Sequence, residues 1–457
     1  MLDEDLVKFF ASRIRPEDYG DIRLAESSGT LIEIEKGRTR STSSFAVRGF
    51  GVRVLHNGAW GFASSTRIGG AEIKKAIDSA YRQVSSKLWK RVVKLSPETN
   101  IENAEKTFKE DPQNVSFKRK LDTALEADSA ARAHKGVTNT LTVYGDAMET
   151  WLVGNSAGSV IRFNNSFPRL SIAVFAKDPN TTNVIRKTID GNCGFEIFRG
   201  GAPGAMGKAA AKEALSLLGA KPVKGGKYDV VLDPDMAGVY AHEAIGHASE
   251  ADGVVSNNSM LAGRLGEAVG PESITIIDDP TITGASGSFS FDSEGSRSIK
   301  RTIIDRGVIN EYLHTLETAS RLNMKANGAA RASNPTHPPI ARMSNTFIKS
   351  GEFKSDIIED IKFGVAFYGM QYGYTDPRNG NFMFKSQYGR IIRNGKLREY
   401  VRDAALTGNT LDVLKRVDAV SSNFALEGGS CGKEEQWVPV TSGGPSIRIR
   451  GVVVGGQ

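Results

Sequence analysis

The chain has 457 residues, 39% hydrophobic and 24% charged, the balance of a soluble globular protein with room for two or three domains. Its net charge of +7 is spread along the chain rather than gathered in a tail, so nucleic-acid binding is not expected from charge. Apolar runs fall short of the ~18 residues of a membrane span, and two cysteines, Cys193 and Cys431, are too few for a disulfide framework.

The N-terminus, Met1-Leu2-Asp3-Glu4-Asp5, is acidic with no basic-then-apolar leader, which points to the cytoplasm. Residues 5–15 have the spacing of a short amphipathic helix. Alternating segments at 21–26, 31–35 and 45–54 predict antiparallel strands, and Asn57-Gly58 predicts a type I′ turn into Trp60. Residues 71–89 have helical spacing, and 87–117 read as a surface connector. A polar helix with an alanine-rich face is predicted over 115–134. Strands follow at 138–144, 148–153, 159–163 and 170–176, then an alanine-rich helix over 206–218. Lys221-Pro222 and Gly225-Gly226 mark the clearest boundary. The expected fold is α+β in three parts: 1–95 and 96–224 with antiparallel sheets and packed helices, and 225–457 mostly antiparallel β. In that last part the only long helix expected is one bearing histidines. The segments from Ile303 to Leu313 and from Ile391 to Val401 echo each other as two short strands around an X-Gly turn.

That helix organises the chain. An apolar run from Tyr228 to Leu232 leads to Asp233-Pro234-Asp235, a capped helix start, and then to His242-Glu243-Ala244-Ile245-Gly246-His247. Histidines four apart share a helix face, but histidines five apart diverge by roughly 140° on a regular helix. An i→i+5 bulge realigns them, and Gly246 is the residue most tolerant of that distortion. The expectation is therefore a helix with a bulge, His242 and His247 converging on a metal, and Glu243 beside them as general base for water. A catalytic zinc takes a third protein ligand, for which Glu250, Asp252, Glu267, His314, His337 and Cys431 are all candidates. Cys431 is attractive as a thiolate in the flexible turn Gly428-Gly429-Ser430-Cys431-Gly432. Cys193 reads as structural. Glu250, Asp252 and Glu294 are candidates to hold the imidazole tautomers.

With Glu250-Ala251-Asp252 following it, the His-Glu-Ala-Ile-Gly-His run resembles the HExxxH signature of the TldD/PmbA family, in its TldD-like branch. Phe291-Asp292-Ser293-Glu294-Gly295, Ala341-Arg342-Met343-Ser344-Asn345-Thr346 and Gly429-Ser430-Cys431-Gly432-Lys433 carry the resemblance further. So do Val438-Pro439-Val440 and the block from Gly51 to Ser64, so that it spans nearly the whole chain in order. The one departure is Asp292-Ser293-Glu294, where the family often shows two aspartates before the glutamate. The resemblance implies a zinc metallopeptidase acting on unfolded or short peptides, with Cys431 as third ligand. It also implies a dimer, with a TldE/PmbA-like homologue or with itself, in which this chain is the active partner. Two other readings use the same residues: a zinc-braced binding module without catalysis, and a zinc hydrolase of non-peptide amides. Glu243 separates the first of these, because a structural zinc needs no carboxylate beside its ligand.

Overall fold

The computed structural model describes residues 2–84, 93–179, 181–353 and 356–455. Its first helix, α1 (Glu4–Ala11), starts at Asp3, whose carboxylate accepts from the Asp5 amide at 2.9 Å, and it buries Val7 and Phe10. The segments expected as separate strands at 21–26 and 31–35 are one strand, β1 (Tyr19–Glu35). It turns through Lys36-Gly37, both with positive φ, into β2 (Arg38–His56). A second such turn at Asn57-Gly58 (φ 49° and 79°) leads to β3 (Ala59–Ser65), the type I′ hairpin that Asn-Gly predicts. Helix α2 (Gly70–Val84) then lays Ile73, Ala76, Ile77 and Ala80 on this sheet; the rest of the helix expected to residue 89 lies outside the described residues. So does the start of the expected connector, whose described part contains a short strand, β4 (Ile101–Ala104).

After α3 (Phe117–Arg132), strand β5 (Val137–Asn155) pairs with β1 from Asp21, opposite Asn155, to Glu35, opposite Leu141. The two strand runs of the first half thus share one sheet. Gly29 shows why the predicted break in β1 is no break: a Cβ there would stand 1.9 Å from the Asp146 carbonyl of β5. Strands β6 (Val160–Ser166), β7 (Arg169–Lys177) and β8 (Thr182–Asp190) extend the sheet, and α4 (Ala202–Ser216) packs on it with α3. Strand β8 was not foreseen from the sequence.

The second half holds the largest hydrophobic core. The strands Phe363–Thr375, Gly226–Leu232, Ile447–Gly455, Ala405–Asn409 and Asn381–Arg393 pair in that order, and the last pairs back to the first, closing a ring. A six-stranded sheet stands beside it, ending in the strands Asn345–Ile348, Gln436–Gly444 and Ala425–Lys433. The echoing hairpins are real turns of one kind: Arg306-Gly307 and Asn394-Gly395 all have positive φ. Between ring and sheet lies a nearly continuous helical run. It comprises α5 (Pro234–Val239), a π-helical segment (Tyr240–Gly246) and a last α turn (His247–Ser249), with Met236, Tyr240, Ala241, Ala244, Ile245 and Ala248 buried. The other described helices of this half are short. No helix among the described residues is long and apolar enough to cross a membrane.

Candidate metal centre

Asp233 caps α5, its carboxylate accepting from the Met236 amide at 2.9 Å with Pro234 in the first turn. The helix then widens as the five-residue spacing requires. The His247 amide donates to the His242 carbonyl, an i→i+5 bond that joins the two histidines themselves. The rings stand 5.4 Å apart at 85°. Gly246 contributes differently from expectation. Its φ of −58° is ordinary helix, so backbone freedom is not what it supplies. A Cβ there would lie 2.0 Å from the Met343 sulfur, so the absent side chain lets the widened turn sit against Met343. Gly246→Ala is expected to cost about 1–3 kcal/mol in denaturant unfolding. Met343→Ala in the same chain should recover part of that loss; no recovery would mean that the contact is not the cause.

Cys431 arrives from the other side. It sits on the strand Ala425–Lys433, opposite Val438 of the strand Gln436–Gly444, in a hairpin turned at Glu434-Glu435. Both turn residues have positive φ, a conformation that costs non-glycine residues energy and that tends to occur near functional sites. The Cys431 sulfur is 3.2 Å from His247 Nε2, and ligand atoms of His242, His247 and Cys431 all lie within 4.8 Å of one another. Burial pushes the Cys431 thiol up, but the His242 and His247 imidazoles outweigh it and bring it down to about 5. Burial opposes charge on both rings as well, yet the neighbouring Cys431 and, at His247, Glu250 raise them. Glu243 Oε2 stands 3.7 Å from His247 Nε2.

Of the other third-ligand candidates, none joins this cluster. Glu250 takes the outer nitrogen of His247, Nδ1, at 3.0 Å, which orients the ring and fixes the tautomer that leaves Nε2 facing Cys431. Its own carboxyl is held at about 2: burial raises it, and His247 and Lys433 more than offset that. Asp252 is bound by Lys433 Nζ at 2.7 and 2.8 Å. Glu267 pairs with Arg264, His314 is buried beside Thr318, and His337 leans on Asn334. Cys193 is a free thiol that burial and nearby Glu196 push up to about 12, suited to packing rather than chemistry.

Glu294 is no tautomer holder. It accepts from Arg53 at 2.7 Å and from the Leu316 amide at 2.7 Å, while Asp292 accepts from the amides of Glu294, Ser296 and Ala330. Arg53 also pairs with Asp21 at 2.6 Å. The segment from Phe291 to Gly295 therefore fastens the first sheet to the second half, a role that its residue types alone did not indicate.

Two cavities meet at Glu243. The larger, about 680 Å3, is lined by His242, Asp235, Lys187, Tyr368 and Glu427; the smaller, about 480 Å3, by His247, Glu250, Tyr374 and Lys433. Two strands border both. Tyr368–Met370 and then Gly373–Thr375 lie along one side, Glu427–Ser430 and then Gly432–Glu434 along the other, with Cys431 between. Asp233 and Asp235 accept from the Gly369 and Met370 amides and anchor the first strand to the helix start. The second strand ends its sheet, with no further strand beyond it among the described residues.

A helical histidine pair, an adjoining carboxylate and a buried cysteine within a two-sided cleft are the groups from which metal-dependent hydrolases are built. Three family profiles place it more closely: PmbA/TldA metallopeptidase domain 1 matches residues 20–84, the central domain 110–218 and the C-terminal domain 225–456. The chain belongs to the PmbA/TldA metallopeptidase family, as its motifs indicated. It is 36% identical to a metalloprotease of Methanothermobacter thermautotrophicus over 443 residues, 96% of each chain. A zinc metalloprotease TldD homolog of Saccharolobus solfataricus is 27% identical, again over 96% of each. TldE of Thermococcus kodakarensis shares the fold with a TM-score of 0.78 at 17% identity, covering 99% of each chain. A Thermotoga maritima protein, titled as a candidate modulator of DNA gyrase, superposes with a TM-score of 0.81 at 21% identity, covering 99% of this chain and all of that one.

Proposed function

We propose that the chain is a zinc-dependent peptidase for unfolded or short peptides, with His242, His247 and Cys431 as metal ligands and Glu243 as general base. The observation that carries this reading is the convergence of three donor atoms within 4.8 Å beside Glu243, where the two cavities meet. The donors fit zinc: two imidazoles and a readily ionised thiol match its preference for nitrogen and sulfur, and three protein ligands leave one position open. His242 Nδ1 is buried with no hydrogen-bond partner among the described residues, which leaves that nitrogen free of a competing contact. Zinc bound here supplies Lewis acidity, polarising a carbonyl and lowering the pKa of water. Glu243 takes a proton from the attacking water and returns it to the leaving nitrogen, so the peptide bond breaks to an amine and a carboxylate.

Substrate recognition follows from the walls. An extended peptide laid along the cleft adds as a strand to the free edge of Ala425–Lys433, bound through its main chain and little by its side chains. A folded protein cannot offer such a segment. Dimerisation, with itself or with a TldE/PmbA-like homologue, belongs to the same proposal. The 38–48 stretch of β2 supports it, with an outer edge that β3 leaves unpaired and with Phe45 and Val47 exposed.

The test presents one substrate protein folded and then denatured, with and without a chelator. Cleavage of the denatured form alone, abolished by chelation and restored by zinc, is expected. Equal rates on both forms would sink the strand mode, and a rate indifferent to chelation would sink the metal's role.

A further inference from the structure

The proposed donors come from places 184 residues apart in sequence, and one side chain touches the surroundings of both. Arg342 is fully buried. Its Nη2 donates to the Cys431 carbonyl at 2.6 Å and its Nη1 to the Gln436 carbonyl at 3.2 Å, so the guanidinium spans the hairpin that carries the thiol. On its other edge Nε faces Glu250 Oε1 at 3.7 Å, and Glu250 Oε2 is the atom that takes His247 Nδ1. Among the described residues neither Arg342 Nε nor Glu250 Oε1 has a hydrogen-bond partner, so their facing charges are the contact between them. Lys433 Nζ also reaches Glu250 Oε2, at 3.1 Å, but its remaining contacts are Asp252 and the Ala341 carbonyl, not the Cys431 backbone.

We propose that Arg342 is a positioning residue: by bridging the Cys431 carbonyl to the carboxylate that holds His247, it sets the sulfur at ligand distance from the histidine pair. The inference rests on the donor set proposed above. The planar fork is the reason for arginine. Its N–H groups point along two directions in the hairpin while a third edge meets the carboxylate, a geometry that the single ammonium of lysine does not reproduce. Without that bridge the hairpin and the helix end are linked near the site through Lys433, which holds the helix side and does not touch the Cys431 carbonyl.

The full chain, stripped of metal and titrated with cobalt(II), tests this, because a thiolate on cobalt gives a near-ultraviolet charge-transfer band that imidazoles do not. The variants are R342K, R342M and K433M, with C431S as control. R342K and R342M should lose the charge-transfer band and bind cobalt about 10–100-fold more weakly, the range for removing a residue that orients a ligand. K433M should keep the band. If R342M fails to fold by circular dichroism, R342K decides alone, and its unfolding midpoint without metal must stay near the parental value. A band of parental intensity and affinity in R342K overturns the proposal, as does a band lost only together with the fold. If C431S keeps the band, the donor set itself is wrong; if C431S loses it and R342K does not, only the positioning role falls.

Discussion

Glu243→Gln is expected to retain its metal and to lose about 10²–10⁴-fold in peptide turnover, the range for removing a general base. The geometry separates the two effects. Glu243 Oε2 is 3.7 Å from His247 Nε2, beside the donors without being one of the three that converge. It lines both cavities, so a peptide crossing from one to the other passes it. Glutamine keeps the shape and removes only the capacity to accept a proton at that oxygen. Metal content by elemental analysis and kcat on a denatured substrate check the pair. Full turnover with full metal would remove Glu243 from the mechanism and favour a bound metal that braces the fold.

Cys431→Ser and His247→Ala are each expected to lose the metal itself. Removing a residue that only orients a ligand costs about 10–100-fold in affinity, and a lost ligand should cost more. The two variants fail for different reasons. Serine leaves a hydroxyl whose pKa is far too high to ionise in place of a thiol brought down to about 5. Alanine at 247 removes a proposed ligand and leaves Glu250, buried and held at about 2, without the imidazole it orients. Glu250 loses its His247 partner but keeps Lys433 at 3.1 Å, so the loss should be smaller than the ~3–5 kcal/mol of a buried ion left unpaired. His247→Ala should therefore unfold more readily than the parent even without metal, whereas Cys431→Ser should not. Competition against a chromophoric chelator measures the affinity, and denaturant unfolding of the stripped proteins measures the difference. Parental zinc affinity in Cys431→Ser would leave the chain without its third ligand.

Much of this site is legible in the sequence. The five-residue spacing admits few solutions on a helix, and the π-helical turn was predicted because i→i+5 bonding brings the rings together. The turns at Asn57-Gly58, Arg306-Gly307 and Asn394-Gly395 were legible for the same kind of local reason. Other features were not. The gap predicted between residues 26 and 31 closes into one long strand because β5 pairs along all of it, and alternation within β1 says nothing of a partner more than a hundred residues on. Glycine at 246 looked like a source of backbone freedom and is a point of close approach, a difference that depends on Met343. Arg342 stood inside a motif already singled out, but no residue type or spacing tells an arginine that braces two carbonyls from one that lies on the surface.

By itself the sequence determined the α+β class, the widened helix and its convergent histidines, because these depend on periodicity and on contacts within a few residues. Choosing Cys431 among six candidate ligands needed a likeness to other chains. Seating it 3.2 Å from His247, binding Glu250 to the outer nitrogen and placing Arg342 across the hairpin were decided by tertiary structure alone. Those distances are set by strands and a helix that meet only when the whole second half has packed, so no local stretch of chain encodes them.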